Sequence, residues 1–289
     1  MLLKDFVLQT RNSLSVLYGL QESAALTSLV CKEYFGSDSY THITDPGSVV
    51  EDEACDRALS AVRRLLLGEP VQYVLGYAVF CGRRFNVSPS VLIPRPETEI
   101  MCREAAGYAG QVAACRGRVR ILDLCTGSGC IAWTMAAEIQ EADIVAVDIS
   151  QEALAVASSQ TFDRVRAPHF VCADIFDDSA FASIAGDGFD LILSNPPYVL
   201  ESEKPSMRAN VLEHEPALAL FVPDTDAQVF NRKLAEICKK FLYTGAVAYV
   251  EINEALGNAS KAVFEEKGFS NVTVIQDLSG RDRFIKIVK

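Results

Sequence analysis

Along residues 1–68, apolar side chains recur at spacings of three and four: Phe6, Leu14 and Leu17, then Ala25, Leu29 and Val30, then Ala54, Ala58, Ala61, Val62, Leu65 and Leu66. That period gives each helix one apolar stripe, so the segment is expected to fold as helices that bury a face against one another. Gly68 stands where a helix ends in the left-handed conformation, and the run 36–47, rich in Ser, Asp, Thr, Pro and Gly, reads as a loop.

From 69 to 95 the pattern changes. Tyr73, Val74, Tyr77, Val79 and Phe80 favour strand, Cys81-Gly82-Arg83 a turn, and Phe85 and Val87 a return strand before the loop 88–96. A hairpin linking two domains is expected there. Beyond it, the short apolar runs 119–124, 144–147, 170–172, 191–193 and 246–252 alternate with helical stretches. Alternation of that kind predicts an α/β domain over 96–289, with right-handed crossovers and a mainly parallel sheet. In the tail, Val272–Ile275 and Phe284–Val288 are separated only by a turn containing Asp277, Ser279, Gly280 and Arg281. No crossover helix fits between them, so this pair is expected to be antiparallel.

Composition narrows the class. The chain has 289 residues, 49% hydrophobic and 22% charged, as a soluble globular protein with a sizeable core has. Its 27 basic against 38 acidic residues leave a net charge of −11, which repels phosphate backbones and argues against stable nucleic-acid binding. Arg57, Arg63, Arg64, Arg83 and Arg84 are interleaved with acids and read as solvated faces. Nine cysteines form no Cys-x-x-Cys pair and have no histidine spacing that would complete a zinc site, so no metal is expected. The N-terminal Met-Leu-Leu-Lys-Asp-Phe lacks a leader pattern and no run of eighteen apolar residues occurs, so a reduced, cytoplasmic protein with no membrane association is expected; a monomer is expected as well. His42, His169 and His214 carry no catalytic argument.

Two constellations carry chemistry. Asp123-Leu-Cys125-Thr126-Gly127-Ser128-Gly129 follows the predicted strand 119–124 directly and precedes a helix starting near Cys130. The two glycines let the turn tighten and let a ligand approach the backbone, and the helix start offers free N–H groups. Asp148, closing the next strand, is placed to accept hydrogen bonds from both hydroxyls of an adenosine ribose. The loop alone does not choose the cofactor. Gly127-Ser-Gly129-Cys-Ile-Ala132 also satisfies the dinucleotide fingerprint, leaving a nicotinamide-dependent oxidoreductase open, as is a plain strand-to-helix turn.

The second constellation, Asn195-Pro196-Pro197-Tyr198, lies just past the carboxyl end of the strand at 191–193, the edge where open α/β sheets bind ligands. A planar NH2 group there would meet two acceptors, the Asn195 side chain and the Pro196 carbonyl, with the Tyr198 ring against its plane. Drawing its hydrogens toward acceptors raises electron density on the nitrogen, and placement against a methyl donor supplies near-attack geometry. Alone, Asn-Pro is as readily a turn initiator. Joined to a nucleotide loop in the same sheet, it points to methyl transfer onto an amino group, and the exocyclic NH2 of a nucleobase suits it as well as an amide does.

On these residues the chain closely resembles the release-factor glutamine methyltransferases (HemK/PrmC), within the class I S-adenosylmethionine-dependent methyltransferases. The resemblance spans nearly the whole chain. It rests on the two loops together with Arg63-Arg64, Glu69-Pro70, Tyr73-Val-Leu-Gly76, Val91-Leu-Ile-Pro94-Arg95-Pro96-Glu97-Thr-Glu99, Glu213-His-Glu-Pro216-Ala-Leu218 and Asp277-Leu-Ser-Gly280-Arg-Asp-Arg283. It implies a helical domain over 1–68 that helps grip a protein substrate, the hairpin and linker over 69–95, and over 96–289 a Rossmann-like, seven-stranded methyltransferase sheet, mostly parallel with an antiparallel last strand. The implied activity is methylation of the side-chain amide of the Gly-Gly-Gln glutamine in class-1 peptide-chain release factors.

The resemblance implies that Asp123, Cys125, Thr126, Gly127, Ser128, Gly129, Asp148, Asp174, Ile175 and Asn195 bind S-adenosylmethionine, and that Asn195, Pro196, Pro197 and Tyr198 hold and activate the glutamine amide. Arg95 and Glu97 are weaker candidates at the ligand edge. Three residues depart from the family pattern. Cys125 stands where glycine is usual and would be strained if φ is positive. Ile175 replaces a common tryptophan, keeping an apolar wall without stacking. Glu251-Ile-Asn253 lacks the usual glycine, which leaves Glu251 without an assigned role. The substituted Cys125 also keeps open a cofactor-binding but inactive scaffold.

Overall fold

The computed structural model describes residues 1–179, 184 and 186–289, which divide into two units, 1–77 with 208–214 and 78–207 with 215–289. The first unit is built on α1 (Leu3–Phe35), broken at Gly19 (φ 73°, ψ 176°), a short α2 (Thr41–Thr44) inside the expected loop, and α3 (Asp52–Leu66). Gly68, with φ 82°, ends the last of these as expected. Phe6, Leu14, Val30, Ala58, Ala61, Val62 and Leu65 share one apolar cluster. Leu17 and Leu29 are exposed instead. Each falls one position outside the buried stripe, which runs through Tyr18 and Val30.

Tyr73 and Val74 are a second correction: they lie in a helix, α4 (Val71–Leu75), rather than a strand. The Arg64 guanidinium, paired with Glu69, donates to the carbonyls of Tyr73 (3.0 Å) and Val74 (3.1 Å). It thereby satisfies acceptors that a single helical turn leaves open. Gly76, at φ 80°, stops that turn. The hairpin proper is β1 (Tyr77–Phe80) and β2 (Arg83–Asn86), joined by Cys81 and Gly82 at φ 47° and 73°. Two left-handed residues form the two-residue turn whose twist matches a right-twisted ribbon.

In the second unit, β3 (Val119–Leu124), β4 (Ala142–Asp148), β5 (His169–Cys172), β6 (Phe189–Ser194), β9 (Leu242–Glu251), β10 (Asn271–Gln276) and β11 (Asp282–Val288) form one sheet in the order β10-β11-β9-β6-β3-β4-β5. The pairings β9–β6, β6–β3, β3–β4 and β4–β5 are parallel, and β11 runs antiparallel to both its neighbours. The mostly parallel pairing and the antiparallel last strand are as predicted. A separate two-residue pair, β7 (Val199–Leu200) with β8 (Phe221–Val222), had no signal in the pattern.

Successive strand side chains point to opposite faces, and the two faces are packed by different helices. Leu122, Leu124, Ile192 and Val250 meet Leu234, Ile237 and Phe264 of α8 (Val229–Phe241) and α9 (Gly257–Glu266). Ile121, Leu191, Leu193 and Tyr249 meet Met101, Cys102, Ile131 and Trp133 of α5 (Thr98–Arg116) and α6 (Cys130–Glu138). A further helix, α7 (Gln151–Ser158), follows β4 and is capped by the Ser150 hydroxyl, which accepts from Ala153 N at 3.1 Å.

Both faces of the central strands are covered, which explains their continuous apolar runs. Ile192, fully buried on β6, is expected to cost about 2–5 kcal/mol when cut to alanine. Urea unfolding checks this: the midpoint falls while the slope stays unchanged.

Candidate active site

Parallel pairing brings the strand ends level. Leu124 pairs with both Val147 and Ser194, and Asp148 with Cys172, so the segments after β3, β4, β5 and β6 emerge at one edge of the sheet. They enclose a cavity of about 330 Å3, a size common for small-molecule sites. The glycine loop lends it Cys125, Thr126, Gly127 and Ser128, and the other strand ends lend Asp148, Asp174, Ile175, Asn195 and Pro197. Asp123, Gly129, Pro196 and Tyr198 do not line it.

The loop owes its shape to three left-handed residues, Cys125 (φ 59°), Gly127 (φ 55°) and Gly129 (φ 78°). At Gly129 a Cβ would stand 3.0 Å from the Ala157 Cβ and 3.1 Å from Trp133 Cδ1, so the loop packs directly on α7 and on the Trp133 ring. Cys125 adopts the same backbone region with a side chain, at a cost of about 1–2 kcal/mol. Asp123 is fully buried below. Its Oδ2 accepts from Thr126 Oγ1 (2.5 Å) and Ala132 N (3.2 Å), and its Oδ1 has no hydrogen-bond partner among the described residues. Burial raises this carboxyl to about 7.

Asp148 accepts Gly127 N on Oδ2 (2.8 Å) and Ser150 N on Oδ1 (3.0 Å), which stitches β4 to the loop, and these bonds do not exhaust the acceptor capacity of a carboxylate. Burial lifts this group above the usual carboxylate range, and the backbone N–H groups pull it part of the way back. Ile175 is buried in the wall, as an apolar replacement for an aromatic ring should be. Phe176 and Phe230, which sequence reasoning did not single out, also line the cavity and pack edge to face at 5.3 Å.

The Asn195–Tyr198 segment is held from two sides. Asn195 Nδ2 donates to Thr98 Oγ1 (3.3 Å), Thr98 Oγ1 donates to Glu251 Oε2 (2.7 Å), and the Tyr198 hydroxyl donates to Glu251 Oε1 (2.9 Å). Burial raises the Glu251 carboxyl, and burial together with the Glu251 charge holds the Tyr198 phenol well above its ordinary range. On the other side, Asn253 Nδ2 donates to the Tyr198 carbonyl (3.2 Å) and to Glu203 (2.9 Å), which in turn accepts Leu200 N (2.7 Å). Asn253 thus ties the loop down.

Arg95 and Glu97 do not line the cavity. Arg95 pairs with buried Glu215 at 2.6 Å, and the second Glu215 oxygen accepts Ile93 N at 3.1 Å. That pair fixes the loop from which Ser90, Val91, Leu92 and Pro94 reach the cavity, with Thr98 following at the start of α5.

Two outcomes follow from the loop. With its folded value near 7 against an ordinary 3.8, the Asp123 contribution to stability is fully present below about pH 4 and lost as pH rises through 7, about 4 kcal/mol in all. Denaturant unfolding of the cofactor-free protein between pH 4 and 8 is expected to lose this slope in Asp123→Asn. Cys125→Gly is expected to raise the unfolding free energy by about 0.5–1 kcal/mol, since glycine enters the left-handed region without strain.

Comparison with known proteins agrees with this geometry. A family model described as methyltransferase small domain matches residues 112–220. A release factor glutamine methyltransferase of Bacteroides thetaiotaomicron is 40% identical over 281 residues, covering 95% of this chain and 96% of that one. Its counterpart in Flavobacterium psychrophilum is 32% identical over 99% of both chains. The hMettl16 catalytic domain, solved with a MAT2A 3'UTR hairpin, shares the fold, with a TM-score of 0.53, 12% identity and 82% of each chain covered. Identity at this level over the full length shows that the chain belongs to the release factor glutamine methyltransferase family of S-adenosylmethionine-dependent enzymes.

Proposed function

We propose that this protein transfers a methyl group from S-adenosylmethionine to the side-chain amide nitrogen of the Gly-Gly-Gln glutamine in class-1 peptide-chain release factors. The observation that carries the reading is that Asp148, the glycine loop and Asn195 line one cavity, so a nucleoside site and an amide site are continuous. The donors and acceptors fit the cofactor. Asp148 keeps lone pairs for a ribose diol, and a Cβ added at Gly127 would meet nothing within 4 Å, which leaves backbone open to a ligand. Ile175, Phe176 and Phe230 supply an apolar and aromatic wall for a base. S-adenosylmethionine, when bound, supplies an electrophilic methyl group on a sulfonium centre.

In this reading the chain's own residues do the rest. Asn195 Oδ1 accepts an amide hydrogen from the cavity side and the nitrogen's lone pair is turned toward the donor, while Pro196, expected to supply the second acceptor, does not line the cavity. Pro196 and Pro197 fix φ and remove two N–H groups, which stiffens the loop alongside the hydrogen bonds at Asn195 and Tyr198. The relatives in Bacteroides thetaiotaomicron and Flavobacterium psychrophilum, both release factor glutamine methyltransferases, support the substrate. The same reading has the protein acting as a cytoplasmic monomer without membrane or stable nucleic-acid association, the last supported by its net charge of −11.

Mass spectrometry of an unmethylated release factor after incubation with enzyme and cofactor is expected to find one added methyl on the Gly-Gly-Gln glutamine. An unmodified factor alongside a methylated nucleic-acid base would replace the substrate. Asn195→Ala is expected to lower kcat by about a hundredfold or more, a larger loss than any it causes in cofactor affinity measured by calorimetry.

A further inference from the structure

The hydrogen bonds behind Asn195 leave its amide only one orientation. Thr98 has a single hydroxyl hydrogen, and at 2.7 Å that hydrogen goes to Glu251 Oε2. The other Glu251 oxygen takes the single hydrogen of Tyr198 at 2.9 Å. Two one-hydrogen donors thus converge on one carboxylate, which accepts from both. Toward Asn195, therefore, Thr98 Oγ1 acts only as an acceptor, and the atom facing it at 3.3 Å is Nδ2. The Asn195 carbonyl oxygen is the atom left for the cavity that Asn195 lines.

We propose that Glu251, acting through Thr98, is a positioning residue that holds Asn195 Oδ1 toward the cavity as a hydrogen-bond acceptor. A reversed amide would present NH2 to a substrate NH2, two donors facing each other. The proposal rests on the reading that this cavity receives a substrate amide. Thr98 and Glu251 are each 2% exposed, so no solvent hydrogen bond relaxes the constraint. Without the carboxylate, the Thr98 hydrogen is free to point at Asn195, and either amide orientation is then allowed.

Thr98→Val keeps the shape and removes the hydroxyl, Thr98→Ser keeps the hydroxyl, and Glu251→Leu removes the acceptor that commits the Thr98 hydrogen. In protein carrying nitrogen-15 asparagine, the Asn195 side-chain NH2 is expected to be protected from solvent exchange in wild type and Thr98→Ser. In Thr98→Val and Glu251→Leu it is expected to exchange about tenfold faster or more. With release factor as substrate, kcat is expected to fall about a hundredfold in Thr98→Val, to recover in Thr98→Ser, and to fall with unchanged cofactor KM.

If Thr98→Val leaves either the exchange rate or kcat at the wild-type value, the positioning role is overturned, because an isosteric side chain would then serve equally well. A wild-type enzyme inactive on release factors defeats the substrate reading alone. The exchange measurement needs no substrate and judges the orientation independently.

Discussion

Parallel hydrogen bonding between β3 and its two neighbours is the constraint on which the site depends. Strands in a sheet lie about 4.8 Å apart. With Leu124 level with both Val147 and Ser194, the residues that follow, Cys125, Asp148 and Asn195, emerge side by side. A shift of one residue in either ladder would turn every side chain of that strand to the other face. The apolar runs that bury both faces of the sheet therefore also set the spacing between the glycine loop and the Asn-Pro-Pro-Tyr loop. Core packing and site geometry are the same fact at two ends of a strand.

Much of this was legible in the chain. Short apolar runs spaced by helical stretches are a local pattern, so β3, β4, β5, β6 and β9 could be read, as could the antiparallel tail and the turn at Cys81-Gly82. The helical stripe was legible in phase only as far as residues such as Leu14 and Val30 mark it. Leu17 and Leu29 are apolar yet point outward, because an apolar residue at the margin of a stripe looks like one inside it. Tyr73 and Val74 misled for another reason. Their preference for strand is overridden by a guanidinium nine and ten residues away, and such a partner has no periodic signature.

Within the site, the backbone loops were legible and their supports were not. Glycine and proline advertise backbone conformation directly. Thr98, Glu251 and Asn195 are joined across separations of 97 and 153 residues, and only the fold reveals that they meet. Asn253, which also donates to Glu203, clamps Tyr198 from the opposite side in the same hidden way. Arg95 carried a clear motif signal, yet its partner is the buried Glu215. Its place in the motif reflects the shape of the cavity rim, with no side-chain contact to the cavity.

Cys125 sits in a left-handed turn on the cavity wall, and its environment settles what its sulfur can do. Burial pushes the thiol well up, and the neighbouring Asp148 and Asp123 push it further in the same direction. Alkylation of sulfur proceeds through the thiolate, and the thiol is a far weaker nucleophile. In an enzyme that handles an electrophilic methyl group, an ionised sulfur in the cavity would compete with the substrate and end as a dead thioether. Burial and the neighbouring carboxylates both disfavour the thiolate at Cys125, so the turn that places this sulfur on the cavity wall also makes it a poor competitor for an electrophile held there.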